Sequence, residues 1–370
     1  MIPDSQALKA IASKFTQQHN ITEINSFGSG NINDTFLVSL DTPSNEQFIL
    51  QRLNQQVFEK PHLVMQNMRT LTDHVHKRLL NSELDRRWEI SRVLHTKTGQ
   101  DYIEAEDKSF WRAISFIDDS YSVDVLENQH QATEIGHTLG TFHALIEDLP
   151  SENLADTLEG FHITPRYLQE YDVVLGQTVI KPTPEINHCL AFVEQRRNWA
   201  SVLEVAKDNG KLPLRLMHGD PKVNNVLFDS GTDKAVSIID LDTVKPGLVH
   251  YDIGDCLRSG CNPVGEETED WKSVYFETEL CQGILQGYLD AAKAFFSDND
   301  YAYLFDSIRL IAFELGLRFF SDYLVGNVYF KNINHPEHNL ARALVQFQLT
   351  ESIEAQEQVI QRLVEEMKKV

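Results

Sequence analysis

Short bursts of alternating apolar and polar residues fill the first third of the chain. The runs E-I-N-S-F (23–27), T-F-L-V-S-L (35–40), Q-F-I-L-Q-R-L (47–53), W-E-I-S-R-V-L (88–94) and F-W-R-A-I-S-F-I (110–117) follow an opening amphipathic helix and read as β-strands. Turn chemistry separates them, as in D-T-P-S-N after Leu40 and T-G-Q after Lys97. One helix interrupts the series: Pro61 stands where a first helical residue belongs, and Val64, Met68, Leu71, Val75 and Leu79 repeat at helical spacing. The pattern predicts a small antiparallel sheet carrying one helix.

From about Glu127 the period changes. Ile135, Leu139, Phe142, Ile146 and Leu149 form one apolar stripe, and helices dominate to the end of the chain. The exception lies at 214–242, where V-L-F and V-S-I-I flank the turn D-S-G-T-D and predict a hairpin. The character of the chain changes at 115–119, so the expected division is a sheet lobe over 1–117 and a larger helical lobe over 118–370, an α+β architecture. No internal repeat or low-complexity linker is visible.

Composition narrows the partners. The 370 residues are enough for two or three packed domains, and 42 % of them are hydrophobic. The 33 Lys and Arg stand against 55 Asp and Glu, and the net charge of -22 repels a nucleic-acid backbone. An acidic surface does not exclude ATP, because magnesium and a few placed cations reverse the potential inside a cleft. It would also suit a cationic substrate. The start M-I-P-D-S-Q-A-L-K-A lacks a signal-peptide pattern, and no apolar run approaches the roughly 18 residues of a membrane span. The expected location is therefore cytoplasmic. Cys189, Cys256, Cys261 and Cys281 have no paired metal spacing and read as reduced structural thiols.

Two segments carry chemistry: H-G-D-P-K-V-N-N (218–225) and I-I-D-L-D (238–242). Phosphoryl transfer to an alcohol needs a base beside the hydroxyl, ligands for magnesium, and cations that hold the transferring group. Asp220 is the candidate base, the amide oxygen of Asn225 and the carboxylate of Asp240 are candidate metal ligands, and Lys222 is placed to face the transferred phosphoryl group. Asp240 follows Asp220 by 20 residues, enough for one hairpin to return both to one cleft. H-G-D alone is a common surface turn, and I-I-D-L-D alone is a strand ending in acids. The specificity lies in their order, spacing and position after a small sheet.

With these motifs the sequence resembles the aminoglycoside phosphotransferase and choline kinase family, whose fold is protein-kinase-like and bilobal. Within it, F-I-L-Q-R-L-N, H-G-D-P-K-V-N-N-V-L-F-D, I-D-L-D-T-V-K-P-G and E-L-G-L-R-F-F-S-D-Y-L look most like the N-acetylhexosamine 1-kinases. The resemblance implies transfer of the ATP γ-phosphate to the anomeric hydroxyl of N-acetylglucosamine or N-acetylgalactosamine, with Asp220 as catalytic aspartate and Asn225 and Asp240 holding Mg2+. It places the phosphate-covering loop on F-G-S-G-N-I-N-D-T (27–35). There Gly28 and Gly30 would let the backbone approach phosphate, and Ser29, Asn31 and Asn33 would offer polar contacts. The adenine is expected against the backbone of Ser115 and Ile117 at the lobe junction. Asp252, in Y-D-I-G-D, and His218 are expected to support the catalytic loop rather than to react.

Two departures from the protein-kinase pattern stand out. The third-strand lysine is replaced by Gln51 and Arg52, on opposite faces, and Arg52 is taken as the phosphate-side cation. The helix over 64–79 has no glutamate for the usual ion pair, and Glu59 precedes it. For the acceptor, Arg318 and Tyr329 offer a polar contact and an aromatic face of the kind a neutral sugar needs, with Glu314, Asp322 and Asp242 as companions. Two alternatives stay open. One is a kinase of an amino alcohol, hydroxylated amino acid or aminoglycoside, served by Asp118, Asp119, Asp242 and Asp322. The other is a nucleotide-binding module without turnover.

Overall fold

The computed structural model describes residues 5–16, 19–28, 32–82, 84–330 and 333–369. Helix α1 (Ser5–Ala12) leads into β1 (Ile21–Ser26), β2 (Asp34–Leu40) and β3 (Gln47–Leu53). Then come α2 (Pro61–Leu80), β4 (Val93–Leu94), β5 (Ile103–Glu104) and β6 (Phe110–Ser115). The strands pair antiparallel in the order β1-β2-β3-β6-β4, with β5 added to β6. Alternation along them sorts the side chains: Phe36, Val38, Phe48, Leu50 and Trp111 close the outer face under α1. Leu53 and Phe110 face the other way and join Val64, Met68, Leu71 and Val75 of α2 in a core that continues into the second lobe.

Beyond Ser115 the chain leaves this sheet. β7 (Ser120–Tyr121) already pairs with β9 (Val226–Asp229), which forms the expected hairpin with β10 (Ala235–Ile238). A second short ribbon joins β8 (Arg215–Met217) to β11 (Lys245–Gly247). Around these lie α3 (Gln129–Ile146), α4 (Thr164–Gln177), α5 (Pro184–Arg196), α6 (Val202–Asp208) and α7 (Val249–Gly260). The series ends with α8 (Thr278–Ala292), α9 (Asp298–Ala302), α10 (Leu304–Leu324), α11 (His338–Ala355) and α12 (Glu357–Lys369). Helices α3 and α8 touch backbone to backbone. A Cβ at Gly136 would lie 1.9 Å from the Ile284 carbonyl oxygen, and one at Gly287 would lie 2.0 Å from that of Thr133.

The expected strand over 88–94 is realised only at Val93–Leu94. The residues before it are drawn to the other lobe instead: the Glu89 amide donates to the Val236 carbonyl (2.7 Å), and Arg87 reaches Asp229 (2.7 Å) and the Asp118 carbonyl (2.8 Å). Strands β5, β7, β8 and β11 are two or three residues long, too short to leave a periodic signal. All four cysteines are buried and unpaired. No helix among the described residues is long and apolar enough to cross a membrane.

Candidate active site

β8 delivers the chain to His218, and Gly219 turns it with φ +89°. A side chain there would strike Thr243, whose carbonyl oxygen would be 2.8 Å from the added Cβ. Asp252, on the first turn of α7, accepts the amides of His218 (2.6 Å) and Gly219 (2.8 Å), so two successive N–H groups of the loop are pinned to one carboxylate. That carboxylate is itself held by His143 Nε2 (2.8 Å), whose Nδ1 meets the Tyr288 hydroxyl (2.9 Å). Burial favours the protonated acid, yet the His143 bond, the two nearby imidazoles and the Gly219 amide keep its pKa below the ordinary value. His218 is buried and pushed toward the neutral form. Its Nε2–H donates to the Ile239 carbonyl (2.9 Å), and its Nδ1 accepts the Asp220 amide (3.2 Å). It orients the loop and has no free nitrogen for proton transfer.

Four of the expected groups meet here. Asn225 closes a short 3-10 helix (Val223–Asn225). Its side-chain nitrogen donates to the Asp220 carbonyl (2.7 Å) and reaches Asp220 Oδ2 at 3.3 Å, which leaves its Oδ1 as the remaining acceptor. The Asn225 carbonyl accepts the Ile239 amide (2.8 Å) and so ties the loop to the residue before Asp240. Lys222 Nζ lies 3.2 Å from Asp220 Oδ2, and the charges of Asp220 and then Asp240 hold its ammonium form beyond the usual range. Asp240 adopts a left-handed conformation (φ +64°) at the end of β10, with its side chain open to the cleft. Enclosure by the protein, and then the carboxylates of Asp242 and Asp220, push its pKa up to about 7.

A hard divalent cation fits this donor set: an amide oxygen and a carboxylate, beside acids whose mutual repulsion a cation relieves. Among the described residues no cluster of three His, Cys, Asp or Glu could hold a metal without further ligands. Two protein donors plus phosphate oxygens is the usual arrangement for Mg2+ rather than an all-protein cage.

On the nucleotide side the placements differ from expectation. Ser29, Gly30 and Asn31 lie outside the described residues. Gly28 has φ +74° with open space around the position of a Cβ. The side chain of Asn33 is engaged within the protein, donating to Asp242 Oδ2 (2.7 Å) and accepting the Asn54 amide (3.0 Å). Arg52 is on the outer face of β3, bound to Asp34 through Nε (2.6 Å) and lying over Trp111. The structure does not bring it to Asp220 or Asp240. Gln51 holds the inner face instead, because the α1 core claims the alternate positions. At the lobe junction the Ser115 amide is engaged by the Arg92 carbonyl (2.8 Å), and the Ile117 carbonyl accepts the Ser120 hydroxyl (2.7 Å).

On the side where the acceptor is expected stands Arg318. Its guanidinium lies 5.1–5.8 Å from the ring centroids of Tyr167, Phe161, Phe330 and Tyr329, and close enough to Asp220 to feel its charge. Among the described residues no carboxylate pairs with it. The acids expected as its companions are all engaged elsewhere. Glu314 receives His162 Nδ1 (2.9 Å) and the Thr164 hydroxyl (2.6 Å). Asp322 accepts the amides of Val328 (2.8 Å), Tyr329 (2.7 Å) and Phe330 (3.0 Å) and thereby shapes the loop that presents Tyr329. Asp242 is ion-paired with Arg112 in the interior.

Sequence reasoning missed Arg112, His162 and the aromatic partners Phe161, Tyr167 and Phe330. Arg112 had a signal, a charge in the middle of the apolar strand F-W-R-A-I-S, whereas His162 lies in an irregular segment with none.

Comparison with known proteins agrees with this geometry. The pattern of the Phosphotransferase enzyme family (APH) matches residues 23–289. An aminoglycoside phosphotransferase from Alicyclobacillus acidocaldarius superposes with a TM-score of 0.60 at 15% identity, covering 99% of this chain and 97% of that one. A choline kinase from Cryptosporidium parvum gives 0.59 at 15% identity, covering 98% and 99%. An amicoumacin kinase solved with AMP-PNP and Ca2+ gives 0.58 at 13% identity, covering 94% and 93%. Identities this low establish a common protein-kinase-like fold and leave the acceptor open. The family match spans well over half of the chain and takes in the loop of Asp220 and the turn of Asp240, so this protein belongs to the phosphotransferase enzyme family.

Proposed function

We propose that this protein transfers the γ-phosphoryl group of ATP to a hydroxyl of a neutral sugar, the anomeric hydroxyl of an N-acetylhexosamine. The observation that carries the acceptor assignment is the setting of Arg318. Four aromatic rings gathered at 5.1–5.8 Å are what a quaternary or primary ammonium seeks, and here the protein's own guanidinium occupies their midst. A second cation brought to the same place would be repelled, while sugar hydroxyls and an acetamide oxygen would find an unpaired donor and the flat ring of Tyr329. This favours the sugar over the amino alcohols and aminoglycosides named for the structural neighbours.

The chain's own residues divide the work. Asp220 accepts the proton of the attacking hydroxyl, held in place by the Asp252-pinned loop. Lys222 faces the charge carried between the two substrates. Arg318 and Tyr329 orient the acceptor so that its hydroxyl reaches Asp220. Asn225 and Asp240 would hold Mg2+, which when bound neutralises the polyphosphate oxygens. The adenine would rest at the lobe junction near Ile117, beside the edge-to-face pair of Phe27 and Phe116.

The test is a panel of acceptors incubated with labelled ATP and Mg2+, with products identified by mass spectrometry. N-acetylglucosamine or N-acetylgalactosamine 1-phosphate is expected. Phosphorylated choline, ethanolamine or aminoglycoside without sugar product would overturn the acceptor and leave the kinase. Tight ATP binding with no product from any acceptor would point to a nucleotide-binding module.

A further inference from the structure

Gln51 of β3 lies directly across from Arg112 of β6. An arginine inside a sheet is unfavourable unless its charge and all of its donors are met. Arg112 is 1% exposed, and its guanidinium is divided between two oxygen-bearing partners, with Met68 Sδ 3.7 Å from Nη1. Nε and Nη2 both donate to Gln51 Oε1 (2.9 and 2.7 Å), and Nη1 is ion-paired with Asp242 Oδ1. The Gln51 amide nitrogen is fixed in turn by the Thr35 hydroxyl of β2 (3.0 Å). The other Asp242 oxygen receives Asn33, which also accepts the Asn54 amide.

One polar chain therefore links the two central strands of the sheet, the foot of the glycine-bearing loop between β1 and β2, and the turn that carries Asp240. Asp242 sits in the 3-10 helix (Leu241–Thr243) that begins where Asp240 ends. A non-glycine residue holds the left-handed conformation of Asp240 only where its flanks are fixed. The anchor on its downstream side is the Asp242–Arg112 pair, and the upstream anchor is the Ile239–Asn225 bond.

We infer that Arg112 is a positioning residue for the metal site: acting through Asp242, it fixes the turn that presents Asp240 and couples it to Asn33, the residue before β2. The inference rests on the reading of Asn225 and Asp240 as the Mg2+ ligands. It gives a role to the charged side chain that the missing strand lysine and helix glutamate leave unexplained. Arg112 is enclosed among Gln51, Met68 and Asp242, with no surface to offer a nucleotide or an acceptor, so its effect belongs to the coupling between metal and ATP.

The measurement is ATP binding by calorimetry across a Mg2+ titration, made on the full chain. Two variants avoid a lone buried charge: Arg112→Lys, and the double replacement Arg112→Met with Asp242→Asn. Supporting residues of this kind typically change metal affinity by roughly 10–100-fold. Both variants are expected to need about 10-fold more Mg2+ for half-maximal ATP binding, while ATP affinity without Mg2+ and the acceptor KM stay within about twofold of wild type. Wild-type Mg2+ dependence in both variants overturns the inference and leaves the metal ligands standing. Wild-type ATP binding that ignores Mg2+ overturns both at once.

Discussion

His162 Nε2 lies 2.8 Å from the carbonyl oxygen of Gly219, the residue before the proposed base. A carbonyl only accepts, so Nε2 carries a proton, and the other ring nitrogen meets the Glu314 carboxylate at 2.9 Å. Glu314 stands one turn before Arg318 on α10. A single imidazole thus joins the helix that carries Arg318 to the loop that holds Asp220.

The pH behaviour of this link has a definite sign. Burial alone would lower the pKa of His162, but the charge and hydrogen bond of Glu314, the Gly219 carbonyl and the more distant Asp255 raise it above the ordinary histidine value. Tyr251 of α7 stacks on the ring without opposing this charge. A raised folded-state pKa means that the contribution is complete below the unfolded value of about 6.5 and is lost as pH climbs through the folded one. The stability advantage of wild type over His162→Gln, measured by denaturant unfolding, should shrink as pH rises above neutrality. An advantage that is constant or that grows with pH would contradict the assignment.

Replacing Asp220 by Asn removes the proton acceptor while keeping the shape of the loop and the Asn225 contact to its carbonyl. Turnover should fall by roughly 10²–10⁴-fold. ATP binding should stay within about twofold. Steady-state kinetics beside calorimetry separates the two quantities.

Arg318→Met keeps the apolar stem among the four rings and deletes the unpaired cation. Loss of a charge-assisted hydrogen bond costs about 1.5–3 kcal/mol, so kcat/KM for the sugar should fall about 10–150-fold with the ATP KM nearly unchanged. Faster phosphorylation of choline or ethanolamine by the same variant would fit an emptied cage. A wild-type KM for the sugar would remove Arg318 from the acceptor site.

The α3–α8 contact is open to a test of packing. Gly287→Ala puts a methyl 2.0 Å from the Thr133 carbonyl oxygen, and neither backbone can retreat without parting the helices. Overpacking of this kind costs roughly 1–3 kcal/mol. A fall in Tm of about 2–4 °C per kcal/mol is expected in thermal unfolding. Gly176→Ala, with open space around its position, serves as the control.

Local chemistry is legible in the residue order. H-G-D-P-K-V-N-N places the candidate base, the lysine and the amide within one short loop, so covalent geometry alone keeps Asp220, Lys222 and Asn225 together. The hairpin that returns Asp240 to them is readable too, because a turn between two apolar runs leaves little choice of partner. Helix α2 announces itself through Pro61 and its apolar repeat in the same way.

Residue order was thus enough to bring the candidate groups together and to specify a sheet region followed by a helical one, since both depend on interactions between near neighbours in the chain. Which charges remain available was settled by long-range packing. Asp242 met Arg112 across 130 residues, and Glu314 met His162 across 152. Asp322 was taken by the amides of its own following loop, and Arg52 was turned outward to Asp34 by the α1 core. Buried charges must find partners wherever the fold brings them, and that placement depends on how distant elements cross, which no local spacing records.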